Sequence, residues 1–64
     1  MDPEAAVEMI NSETLSREDR LEALEGLAEW IQGGGFHPRT NISDAAIEDL
    51  GGLAESVAYE IGGL

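Results

Sequence analysis

The chain contains no cysteine and no lysine. Without cysteine there is no disulfide to staple the fold and no thiolate for a metal site, and the redox compartment stays open. Without lysine, the fixed cations are three arginines, set against fourteen carboxylates, for a formal net charge of −11. Such a surface repels phosphate, which excludes a conventional nucleic-acid binder and disfavours docking on anionic lipid. It favours solubility and attraction to basic surfaces. Adaptation to high salt accounts for the same balance, and charge alone does not separate these readings. Aromatics are scarce, with one Trp, one Tyr and one Phe. No apolar run approaches the roughly 20 residues of a membrane span. The first residues, "MDPEAAVEMI", are acidic and lack the basic region of a secretory signal. Together these features predict a cytoplasmic protein.

What is present points to one small helical domain over residues 1–64. A core of this size rarely supplies more than about 3–5 kcal/mol unaided, so efficient helix packing or oligomerisation has to make up the difference. The chain is 42% hydrophobic, and that fraction is periodic rather than scattered, which separates it from disordered acidic sequences.

Three helices follow from the pattern. In "DPEAAVEMIN", Asp2 can cap, Pro3 suits the first helical position and Glu4 sits in the favourable first turn. Ala6, Val7 and Ile10 share one face. Ser16 caps a second helix, "REDRLEALEGLAEWIQ". At 100° per residue its Leu, Ile, Ala and Trp positions fill an arc of roughly 180°, too wide for a single partner helix. Ser43 caps a third, with Ile42 and Ile47 at the spacing of a hydrophobic staple. There Ile47, Leu50, Ala54, Val57, Ile61 and Leu64 form a heptad-like seam. Gly51-Gly52 interrupts it, at a cost of roughly 2 kcal/mol within a helix. Because the seam stays in phase across the glycines, one helix kinked at that point is expected. No stretch alternates with the period of a strand. The sequence therefore predicts an all-α, small three-helix bundle with the long second and third helices antiparallel.

Between these helices lies "WIQGGGFHPRTN", which holds the only Trp, Phe and His. A phosphate cradle needs amide groups at a helix N-terminus. These glycines follow a helix C-terminus instead, where carbonyls are exposed and the dipole is negative. The stretch reads as a glycine C-cap and a reversal, with Phe36 folding back into the core. His37 is the only imidazole, and neither a second histidine nor a calcium-loop pattern accompanies it. No catalytic residue, metal or cofactor is assigned.

Three features remain as candidate interaction sites. Glu18, Glu22, Glu25 and Glu29 fall within roughly 60° of one another on the second helix, rising about 4.5–6 Å from one to the next. That is near the spacing of phosphates along a strand, so this stripe reads either as a nucleic-acid-like face or as an ordinary solvated one. Arg17 and Arg20 are expected to pair with neighbouring glutamates. Gly51, Ala54, Ala58 and Gly62 form a small-residue row, which reads either as a homodimer contact or as internal packing. Trp30, Phe36 and Tyr59 are candidate apolar anchors.

"LEGLAEWIQGGGFHP", residues 24–38, resembles short acidic helical accessory proteins of phages infecting high-GC bacteria. Several of these carry a helix ending in Trp, a glycine cluster, Phe and Pro. The likeness covers about a quarter of the chain. It implies a protein that acts by binding a host component and implies no catalytic residues. The expectation is a non-enzymatic acidic protein that binds a basic surface of a protein partner, as an inhibitor or DNA mimic. The first alternative is a small homo-oligomeric module whose acidity serves solubility only, and the second is a weak metal-binding or catalytic role through His37, the one side chain with an ordinary pKa near neutrality.

Overall fold

In the structure, a computed structural model that describes residues 1–62, four α-helices follow one another: α1 (Pro3–Asn11), α2 (Arg17–Gln32), α3 (Asp44–Leu50) and α4 (Gly52–Gly62). No strand occurs among the described residues. Leu64, the last position of the seam, lies outside them.

The helix starts are where their caps place them. The Asp2 carboxylate accepts the amides of Glu4 and Ala5 at 3.0 and 3.3 Å, and Pro3 opens α1. Ser16 Oγ accepts the Asp19 amide at 3.2 Å to start α2, and Ser43 Oγ accepts the Ala46 amide at 3.1 Å to start α3. At the end of α2 the Gly35 amide returns to the Trp30 carbonyl and the Gly34 amide to that of Ile31. These are the paired bonds of a Schellman ending, and they require a left-handed residue at Gly34, whose φ is +88°.

The single third helix is replaced by two. Gly51 takes φ +86°, ψ −154°, a region open essentially to glycine alone. Its amide closes α3 on the Ile47 carbonyl at 2.8 Å, and its own carbonyl accepts the Glu55 amide at 3.2 Å to begin α4. The seam keeps its phase across the break because α3 and α4 bury into the same core: Leu50, Ala54 and Val57 are all buried. α2 lies against α1, α3 and α4, as its wide apolar arc requires. Val7, Ile10, Leu24 and Leu27 form the centre and are fully buried.

The arginines of α2 do not pair with the glutamates beside them. Arg20 is buried, its Nε donating to the Ile10 carbonyl at 2.9 Å and its Nη1 approaching Asp49 Oδ2 at 3.4 Å. Arg17 Nε donates to the Asp49 carbonyl at 3.1 Å. Both guanidiniums thus serve the C-terminal turns of other helices, α1 and α3, where unsatisfied carbonyls and the negative dipole end draw cations. The loop before α3 is held from both sides. Asn11 donates to the Asn41 carbonyl and accepts the Ser43 amide, while Asn41 Nδ2 reaches the Ala58 carbonyl. Glu4 accepts the Arg39 amide and the Thr40 hydroxyl.

Candidate functional site

The four stripe glutamates, Glu18, Glu22, Glu25 and Glu29, are all exposed on α2. They occupy the side opposite Leu24, Leu27 and Ala28, which anchor that helix in the core. Among the described residues the only ion pair is Arg20–Asp49, so no cation neutralises any of the four.

At the C-terminal end of α2, Trp30 and Phe36 come together. Their rings meet edge to face with centroids 5.5 Å apart at 86°. The indole Nε1 donates to the Phe36 carbonyl at 2.8 Å, and a β-carbon on Gly35 would stand 2.4 Å from the indole. The last glycine of the run is therefore small because the indole lies against it. Phe36 does not fold into the core: it is 70% exposed. The indole holds its main chain at the rim, and the loop sends Pro38 and Ile42 inward instead. His37 is exposed beside it. The hydroxyls of Ser12, Ser16 and Ser43 are engaged in local turns and caps.

The small-residue row is split between inside and outside: Ala54 and Ala58 are buried, Gly51 and Gly62 exposed. Ala54 and Ala58 belong to this chain's own core, Gly51 is the break between α3 and α4, and Gly62 ends α4 close to the Asn41 side chain. Of its two readings, internal packing describes these alanines. Tyr59 is 62% exposed on α4, next to Glu55, Ser56 and Glu60 in a shallow depression. It is not part of the Trp30–Phe36 pair.

Two features escaped the sequence pattern. The buried Arg20 is one, since a charged residue at the start of an acidic helix reads as surface. The other is an apolar groove between α1 and α2. Its signal was available in Met9 and Gly26, which lie beside the core faces of their helices rather than on them. No group of three or more metal-ligating side chains occurs among the described residues. Set against family models, characterised proteins and solved structures, the chain matches none.

Proposed function

We propose that this chain is a non-enzymatic interaction protein whose α2 face binds a basic surface on a protein partner, in the manner of a nucleic-acid mimic that inhibits what it occupies. The observation that carries this reading is the un-neutralised row of four exposed glutamates on a single helix face. From Glu18 to Glu29, eleven helical steps, the row extends about 16 Å, a density of charge comparable in order to one strand of duplex, which carries a phosphate per about 3.4 Å of axis. The exposed Phe36 ring, held edge to face by the half-buried Trp30, lies at the end of the same helix, where it can add apolar contact to an encounter steered by charge. A phage accessory role, as the likeness of residues 24–38 implies, belongs to the same proposal.

The experiment is displacement of duplex DNA from basic DNA-binding proteins by the native chain and by two charge-matched variants. One replaces Glu18, Glu22, Glu25 and Glu29 with Gln. The other replaces the exposed Glu8, Glu13, Glu48 and Glu55. The stripe variant loses displacement and the control keeps it, and displacement weakens steeply with salt. Equal loss in both variants reduces the effect to net charge, and salt-independent displacement removes the mimicry reading.

A further inference from the structure

The groove between α1 and α2 has a volume of about 410 Å³. Its two walls use the same helical spacing. Asp2, Ala5, Ala6 and Met9 line it from α1 and the residue before it. Asp19, Glu22, Ala23 and Gly26 line it from α2. Each set runs i, i+3, i+4, i+7, which is one continuous helix face. Small residues make the floor, the Met1 methyl lies over Gly26, 3.0 Å from where a β-carbon would stand, and Met1 and Met9 are 58% and 44% exposed. Methionine is the side chain that adapts most readily to an incoming apolar surface. The remaining rim, Asp2, Asp19 and Glu22, is acidic, and no arginine lines the groove. Glu22 belongs to this rim and to the stripe alike.

We propose that the groove receives one helical segment of a protein partner, carrying two apolar anchor side chains at i and i+4 flanked by Lys or Arg. An apolar cavity of about 150 Å³ holds a benzene-sized group, so the groove has room for about two such anchors. The acidic rim selects cationic flanks and repels nucleic acid and anionic lipid, and a groove walled by the faces of two helices accepts a third in the helix-in-groove mode of peptide recognition. This inference rests on the acidic-surface reading above and adds to it where the partner docks and what shape it has.

The test uses two synthetic helix-forming Lys/Arg peptides of equal charge, one with a Leu pair at i and i+4, the other with Gln there. Titration is followed by calorimetry and by NMR of the Met9 methyl and the Ala5 and Ala23 amides. The Leu peptide binds at least about tenfold more tightly, as burial of one such side chain implies, and it shifts those signals. Gly26→Leu fills the groove and removes that advantage, as does Ala5→Leu from the opposite wall. Circular dichroism identifies a folded variant for the comparison. Equal affinity of the two peptides, or an advantage that survives a folded groove-filling variant, overturns the groove while salt-sensitive binding of both leaves the acidic surface standing. Binding of neither peptide at low salt overturns both.

Discussion

The Arg20 guanidinium reaches from the first turn of α2 to the main-chain oxygen of Ile10, 2.9 Å away, and is buried there. It joins the end of α1 to α2 with a charge-assisted bond that no apolar residue can reproduce. Arg20→Met keeps much of the packing volume but leaves that carbonyl unpaired. The expected loss is about 2–4 kcal/mol, comparable to the whole stability of a domain this small. Urea titration should find the variant largely unfolded. Asp49→Asn, which weakens only the 3.4 Å contact to a half-exposed carboxylate, should cost less than about 1 kcal/mol. Equal losses would place the stabilisation in the ion pair instead.

The two glycines at the helix break should respond in opposite directions. Gly51→Ala forces a side chain into a backbone region reserved for glycine and is expected to destabilise by about 1–3 kcal/mol. Gly52 is the first residue of α4, with open space around a prospective β-carbon. Gly52→Ala should therefore be neutral or stabilise by up to about 1 kcal/mol. Thermal melts of the two single variants decide it, and a stabilised Gly51→Ala would mean that α3 and α4 fuse.

Gly35→Ala places a methyl group inside the contact distance of the indole. The indole has to move, which breaks its bond to the Phe36 carbonyl and its edge contact with the Phe36 ring. Since Trp30 is the only tryptophan, intrinsic fluorescence and near-ultraviolet dichroism report this site alone. A red-shifted emission with little change in far-ultraviolet helix signal is expected. An unchanged spectrum would show that the indole is not held against Gly35.

The stripe should weaken the fold that carries it. Like charges three and four residues apart on a helix each cost about 0.2–0.5 kcal/mol, so the variant with Gln at 18, 22, 25 and 29 should melt higher than the native chain while binding less. Added salt should raise the native melting temperature as the screening length falls from about 30 Å at 0.01 M to about 10 Å at 0.1 M. A stripe variant that melts lower would mean that these carboxylates make stabilising contacts.

Much of the architecture was legible because it is local. Asp2, Ser16 and Ser43 announce helix starts through side-chain chemistry that acts over three residues. Gly33–Gly35 announces a stop through backbone freedom, and the stripe follows from the helical period alone. The break at Gly51 was less legible: a hydrophobic phase reports which side faces the core, and two short helices on one core preserve it as well as one long helix does. Phe36 was misplaced because the deciding contact is the indole bond to its own carbonyl, which hydropathy does not express. Arg20 and the α1–α2 groove depend on where separate helices meet, and neither periodicity nor capping carries that distance.

Two of the three arginines hold the carbonyl ends of neighbouring helices, and of these two only Arg20 also meets a carboxylate, that of Asp49. The molecule as a whole carries a formal net charge of −11, and crowded copies in dilute buffer push one another apart. Salt shortens the reach of that repulsion and lets the copies come closer.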